Sequence, residues 1–315
     1  MNIPQISIIA PLYNESETFP FLIERLNALM DSAQVSIEIV LVDDGSRDNT
    51  AELMQALALS DERYHCLFLA RNHGHQLALT AGLAISKGSE AVMVIDGDLQ
   101  DPPELLLEFY PYLKQGYDVV YAVRKQRKEG FVKRSAYYLF YRLLKSIAYV
   151  DIPLDSGDFA LMSRRVVNIL NKMPEESRYL RGMRTWVGFK QIGVEYAREE
   201  RQAGESKYSF KQLFKLAYSG IFNFSEFPIK FVTRLGLFAI VVSLIYFISV
   251  LIKKYYLQEV IEGFPALLFM IILFSGVQLL ALGVLGEYIL RVFFQSKNRP
   301  LFIIRSEIQN KEFVE

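Results

Sequence analysis

Apolar and polar positions in the N-terminal part of the chain alternate between two periods. "QISIIAPLY", "IEIVLVDDGS", "YHCLFLARN", "EAVMVID" and "DVVYAVR" carry short apolar runs of strand length. Between them "ETFPFLIERLNALMDSA", "NTAELMQALALS", "GHQLALTAGLAIS" and "PELLLEFYPYLKQG" repeat their apolar residues at helical spacing. Asn49 or Thr50 is a candidate cap for the second helix, and Pro102 and Pro103 suit the start of the fourth. Strand and helix in strict alternation predict an α/β fold, a mostly parallel sheet with helices on both faces. Ligands of such sheets bind beyond the carboxyl ends of the strands. The chemically suggestive residues fall there: Asp43, Asp44, Arg71, Asp96, Asp98 and Arg124.

The pattern changes in the C-terminal third. "LGLFAIVVSLIYFISVLI" lies between Arg234 and Lys253, and "GFPALLFMIILFSGVQLLALGVLG" between Glu262 and Glu287, both without charge. Roughly 18 to 25 apolar residues cross a bilayer as a helix, so two transmembrane helices are expected at about 233–254 and 263–288. A buried hairpin of a soluble core is the alternative, but two such stretches in succession are rare in soluble proteins. "KEGFVKRSAYYLFYRLLKSIAYV" and "KYSFKQLFKLAYSGIFNFSEFPIKF" mix aromatic, aliphatic and basic residues at helical spacing. Core-facing helices would explain them; beside two spans, helices in the lipid interface near 130–150 and 208–226 are favoured. The expected division is a catalytic region over 1–228, the two spans within 229–292, and a tail over 293–315 whose "RPLFIIRSE" reads as a short strand. An open strand edge invites pairing with a neighbouring subunit. Lys211, Lys215, Lys230 and Arg234 precede the first span, and Arg291, Lys297, Arg299 and Arg305 follow the second. The hairpin loop offsets Lys253 and Lys254 with Glu259 and Glu262, so both termini are expected in the cytoplasm, at the inner membrane.

Composition narrows the picture at three points. Lys plus Arg and Asp plus Glu number 35 each among 315 residues, so the chain is no bulk polyanion binder and no nucleic-acid partner is expected. A single cysteine, Cys66, excludes a disulfide framework and suits a small buried residue. The start, "MNIPQISIIAPLYNE", has no basic segment and passes straight into a strand, unlike a signal peptide.

The candidate chemistry begins at "VMVIDGDLQDPPE", where a buried strand ends in Asp96, Asp98 and Asp101. Crowded carboxylates raise one another's pKa, and something positive should offset the repulsion. Asp-x-Asp at a strand end can hold a hard divalent cation, and Mg²⁺ commonly takes one or two carboxylates plus substrate phosphates. An acidic turn is the plainer reading. "VLVDDGSRDNT" ends another strand in Asp43 and Asp44, with Gly45 permitting a turn and Ser46 or Asp48 able to cap the next helix; "APLYNE" adds Pro11, Tyr13 and Glu15. These suit either ordinary strand–turn–helix junctions or a nucleoside pocket. His73 and His75 in "RNHGHQ" read as part of a loop lining that pocket rather than as metal ligands. Trp186 reads equally as a sugar-stacking ring or a core residue.

"PLYNE", "VDDGS", "ARNHGHQLALTAGL" and "DGDLQDPPE" occur in this order and, together with the later "SGDFALMSRR", "RYLRGMRTWVGFKQ", "REERQAGESKYS" and "GVLGEYILR", closely resemble the family-2 inverting glycosyltransferases of GT-A fold. The later motifs resemble the polyprenyl-phosphate branch, which includes dolichyl-phosphate mannose synthases and bactoprenol-phosphate glucosyltransferases. The resemblance covers nearly the whole chain. It implies transfer of one hexose, glucose from UDP-glucose, to undecaprenyl phosphate. It implies that Pro11, Tyr13, Glu15 and Asp43 bind the donor nucleoside, and that Asp96 and Asp98, with Gln100 nearby, hold Mg²⁺ or Mn²⁺ against the diphosphate. Asp158 matches the position of the proposed catalytic base, though it could simply pair with Arg164 or Arg165. Arg201, Ser206 and Lys207 would contact phosphate groups, and Arg124 and Arg134 the lipid phosphate. Arg124 and Arg134 could instead touch lipid headgroups, and Lys207 could be a juxtamembrane anchor. Similar proteins assemble as homo-oligomers, a tetramer among them. Other donors, GDP-mannose or a UDP-aminosugar, stay open. So do a processive polysaccharide synthase, whose QxxRW motif "RYLRGMRTW" matches only in part, and a non-catalytic membrane scaffold.

Overall fold

The first four apolar runs form buried strands in the computed structural model, which describes residues 3–124, 156–196, 227–256 and 263–314. β1 (Ile6–Leu12), β2 (Ile37–Asp43), β3 (Tyr64–Leu69) and β4 (Ala91–Val94) pair in parallel in the order β4-β1-β2-β3. The connections are α1 (Phe19–Ser32), α2 (Thr50–Ser60) and α3 (His75–Ile85), with α4 (Leu106–Lys114) following β4. The helical spacing seen in the sequence is what buries each helix: α1 turns Phe19, Leu22, Leu26 and Leu29 inward. Cys66 sits in the core, where burial pushes its thiol well above the ordinary range.

The sheet as a whole is mixed rather than mostly parallel. β6 (Ser156–Ser163) lies antiparallel between β4 and β5 (Val119–Arg124), and β7 (Gln191–Tyr196) runs parallel on the far side of β5. On the opposite edge β8 (Ile304–Gln309) pairs antiparallel with β3, and β9 (Glu312–Val314) folds back on β8. The order is β7-β5-β6-β4-β1-β2-β3-β8-β9. The tail therefore does form a strand, but both edges of β8 are taken within this chain, by β3 and β9. The expected pairing of this strand with a second subunit is corrected accordingly. His65 Nε2 meets Glu307 Oε1 at 2.8 Å, Lys87 Nζ donates to Gln309 Oε1 at 2.6 Å, and Ile308 is fully buried, so the hairpin is docked by side chains as well as backbone. α5 (Arg164–Lys172) and α6 (Leu180–Trp186) follow β6.

The second compact unit contains α7 (Phe227–Tyr256) and α8 (Phe264–Ser296), which touch one another. Both are long and apolar enough to cross a membrane, over Phe227–Ser249 and Leu273–Ser296. Large apolar side chains such as Leu237, Phe238, Leu279 and Leu282 are exposed on them, as lipid-facing residues would be. The interfacial helices expected near 130–150 and 208–226 lie outside the described residues.

How closely α3 approaches the sheet bears on everything that follows. A Cβ built on Gly82 would stand 2.4 Å from Ile9 Cγ2 and 3.2 Å from Val42 Cγ2. Both neighbours are β-branched and buried, so they cannot swing aside. Gly82→Ala would ordinarily strengthen a helix by about 1 kcal/mol; here overpacking should reverse the sign, with a net loss of roughly 1–3 kcal/mol. Thermal unfolding of the detergent-solubilised full chain should show a lowered Tm, and a raised Tm would refute this packing.

Candidate active site

Three strand ends and one helix start converge at the carboxyl edge of the parallel strands. The β4–β6 register pairs Val94 with Ala160. Carried two residues further, it sets Asp96 opposite Asp158 on the same face. Two carboxylates far apart in the sequence thus approach one another just beyond the paired part of β4, an arrangement that is unfavourable for like charges.

The N-terminus of α3 meets this pair. His75 Nε2 lies 3.5 Å from Asp96 Oδ1 and 3.7 Å from Asp158 Oδ2. Gln76 Nε2 donates to Asp158 Oδ2 at 2.7 Å, while Gln76 Oε1 accepts from the Leu180 N–H at 2.9 Å. One amide therefore ties β6, α3 and α6 together. From α6, Arg181 Nε stands 3.7 Å from Asp158 Oδ1. Arg184 donates to the carbonyls of Asp158 and Gly157, at 3.4 and 3.1 Å, and lies over the Tyr121 ring. Burial lowers the Arg184 guanidinium to about 10.

These surroundings separate the two carboxylates. Burial favours the neutral form of Asp158, but Arg181, His75, Arg184 and the Gln76 amide outweigh it and hold its carboxyl below the ordinary value. Asp96 goes the other way. Burial, opposed by His75 but reinforced by Asp101, Asp98 and Asp158, pushes it up to about 6.

The remaining acids have separate assignments. Asp98 Oδ1 accepts from the Gln100 N–H at 3.2 Å, across Leu99, which holds a left-handed φ of 57°. That conformation is costly for leucine, and it folds Asp98 and Gln100 into one tight turn. Asp101 is buried and accepts from the Tyr196 hydroxyl, so it bonds to β7. Arg164 donates to the Gly88 carbonyl and Arg165 pairs with Asp118, so neither is the partner of Asp158. Among the described residues no group of three His, Cys, Asp or Glu side chains is arranged to hold a metal ion. Two carboxylates on a turn, one of them with a pKa raised first by burial and then by its acidic neighbours, fit a divalent cation whose other ligands come from a substrate.

The second end of the site lies two strands away. Asp43 is fully buried at the end of β2, and its Oδ1 accepts from the Ser46 N–H at 3.0 Å. Its neighbour Asp44 accepts from the N–H groups of His73 and Gly74, at 2.7 and 2.9 Å, which fastens the "RNHGH" loop to β2. Burial raises the Asp44 pKa and those two bonds oppose it. Gly45, at φ 69°, brings this turn so near the loop that a Cβ would lie 2.6 Å from the Arg71 carbonyl carbon. Pro11 is buried within β1; Tyr13 and Glu15 follow it, half-buried. The Glu15 N–H donates to Thr50 Oγ1 at 2.9 Å, and its carboxylate accepts from Thr18 Oγ1 at 3.0 Å. Asp48 Oδ1 accepts from the Thr50 N–H and hydroxyl, which makes Asp48, rather than Asn49 or Ser46, the residue that closes the start of α2.

The structure thus brings together Asp96, Asp98, Gln100 and Asp158 on one side and Pro11, Tyr13, Glu15 and Asp43 on the other. Arg124 ends β5; Arg134, Arg201, Ser206 and Lys207 lie outside the described residues. Gln76, Arg181 and Arg184 were not singled out by the sequence motifs, although "GHQ" and "RYLRGMR" contain them; His75, read there as a pocket-lining residue, stands between two carboxylates. Trp186 is 57% exposed, which rules out a core role.

Residues 7–170 match the family described as glycosyl transferase family 2. An uncharacterized glycosyltransferase, YkcC, from Bacillus subtilis is 43% identical over 310 residues, 98% of this chain and 96% of its own length. The bactoprenol glucosyl transferase of Shigella phage SfV is 39% identical over 306 residues, 97% of this chain and 99% of its own. Among solved structures, TarS 1-349 of Staphylococcus aureus superposes with a TM-score of 0.45 at 19% identity, over 70% of this chain and 66% of that one. Sequence similarity at this level and over this length places the chain in glycosyl transferase family 2.

Proposed function

We propose that the protein transfers one hexose, glucose from UDP-glucose, to a polyprenyl phosphate with inversion, at the cytoplasmic face of a membrane. The observation that carries this reading is the extent of the similarity. Relatives named bactoprenol glucosyl transferase match over nearly the entire chain, both long apolar helices included. The site geometry supports it. Asp43, Tyr13 and Glu15 would receive the nucleoside at one end of the strand edge, and Asp96, Asp98 and Gln100 would hold Mg²⁺ or Mn²⁺ at the other. A cation there would offset the carboxylate crowding and neutralise charge on the departing diphosphate.

The acceptor needs little activation. A phosphate monoester has a second pKa near 6 and is mostly dianionic at pH 7. Asp158 suits this chemistry as a fixed negative charge rather than as a proton acceptor. One oxygen is held by Gln76, the other faces Arg181, and the carboxyl stays ionised below its ordinary titration range. It would orient the acceptor and steady positive charge on the sugar while the bond to the leaving group breaks.

Purified membranes carrying the protein, given undecaprenyl phosphate and radiolabelled UDP-glucose, UDP-galactose, UDP-N-acetylglucosamine or GDP-mannose, test the reading directly. UDP-glucose should give a single-sugar lipid product that EDTA and Asp98→Ala each abolish. Product from another donor would reassign the sugar, and polymer would point to a processive synthase. The Gln76 clamp yields a second expectation. Gln76→Leu releases Asp158 while leaving the nucleoside end intact, so kcat should fall about a hundredfold with the donor KM little changed. A rise in donor KM at constant kcat would contradict the positioning role of Gln76.

A further inference from the structure

The C-terminal hairpin does more than close the sheet edge. The β3–β8 register runs Cys66 with Ile308, Leu67 with Glu307 and Phe68 with Ser306, then jumps to Leu69 with Ile304. Arg305 is the residue left without a counterpart, so it is the extra residue of a β-bulge. Regular alternation would put Arg305 and Ser306 on opposite faces of the sheet. A bulge breaks that alternation and re-aims a side chain, often beside an active site.

Here the re-aimed side chain reaches back across β3. The Arg305 guanidinium lies 5.8 Å from the centre of the Phe68 ring, and its Nη2 stands 3.9 Å from Asp43 Oδ2. Phe68 is itself the register partner of Asp43. The three residues thus form a row across β2, β3 and β8 at the carboxyl edge, with Phe68 as the shelf between the charges.

Asp43 has a feature that this row explains. It is wholly buried, Oδ1 is satisfied by Ser46, and Oδ2 has no hydrogen-bond partner among the described residues. A separation of 3.9 Å is too long for a hydrogen bond. Arg305 therefore supplies compensating charge to a buried carboxylate while leaving Oδ2 available to an incoming N–H or O–H. Half of the Arg305 side chain is exposed, so its outer side is open to the same ligand.

We propose that Arg305 is a positioning residue of the donor-nucleotide site, holding Asp43 ready for a nucleoside N–H or ribose hydroxyl, so that the C-terminal hairpin forms part of that site. The proposal rests on the reading of Asp43 as a nucleoside contact. The test uses the full chain in detergent micelles and titrates uridine diphosphate and guanosine diphosphate, each with Mn²⁺, by calorimetry. Arg305→Ala should raise the dissociation constant of the better nucleotide about tenfold, and Arg305→Lys should fall between. In an Asp43→Asn background, Arg305→Ala should add almost nothing, because the route through Asp43 is already lost. A merely structural role would lower Tm and leave the dissociation constant unmoved. Wild-type binding with an unchanged constant in Arg305→Ala overturns the inference alone, as does full additivity in the double variant. Failure of the wild-type chain to bind either nucleotide overturns the nucleoside reading of Asp43, and the inference with it.

Discussion

Like charge confined at the end of a buried sheet is the constraint around which this site is organised. Asp96, just beyond β4, and Asp158, on β6, come close enough for one imidazole, that of His75, to lie within 3.5 and 3.7 Å of them. Their repulsion is managed asymmetrically. Asp158 receives two guanidinium groups, an imidazole and an amide, and stays ionised. Asp96 receives the imidazole alone and is pushed toward neutrality. Environments that drive two titratable groups apart give them different chemical roles. Under the proposed function, Asp158 would serve as the fixed charge and Asp96 as the one that takes a cation. Asp101, the third acid of the same turn, bonds to Tyr196 instead and holds the turn against β7.

The same edge sets the length of the site. From β6 to β2 the order is β6-β4-β1-β2, three strand spacings of about 4.8 Å, or roughly 14 Å. Asp158, Asp96, the Tyr13–Glu15 turn and Asp43 occupy successive positions along it. A ligand with a reactive sugar at one end and a nucleoside at the other suits such a row. The close seat of α3 on β1 and β2, made possible by Gly82, belongs to the same design. It brings the helix start down to the strand ends, where His75 and Gln76 can reach between the carboxylates.

Much of this was legible in the sequence. Apolar runs ending in acids gave β2 and β4 and the residues Asp43, Asp96 and Asp98, because strand burial and polar strand ends leave a local signature. Strand direction leaves none. An apolar run reads the same either way, so the antiparallel insertion of β6 was invisible, and with it the meeting of Asp158 with Asp96. Gln76 and Arg181 were hidden for a related reason. A glutamine at a helix start and an arginine on a short helix are ordinary until the fold places a carboxylate between them. The tail was legible as a strand, but a strand's partner is a tertiary fact. His65, Lys87 and the buried side of β3 selected this chain's own edge.

Connectivity also bears on the membrane reading. The chain leaves the sheet after β7, passes through α7 and α8, and returns to the sheet at β8. If both helices cross a bilayer, as proposed, an even number of crossings must separate two strands of one sheet. The seven residues 297–303 are the link between Ser296 and β8. Fully extended, such a link reaches roughly 26 Å, less than the hydrocarbon core of about 30 Å, so it cannot cross again. Under the proposed function the positive-inside count, through Lys230 and Arg234 before the first span and Arg291, Lys297 and Arg299 after the second, would set those ends of the spans in the cytoplasm. That charge pattern agrees with the proposed function, in which a nucleotide-linked sugar is met on the cytoplasmic side.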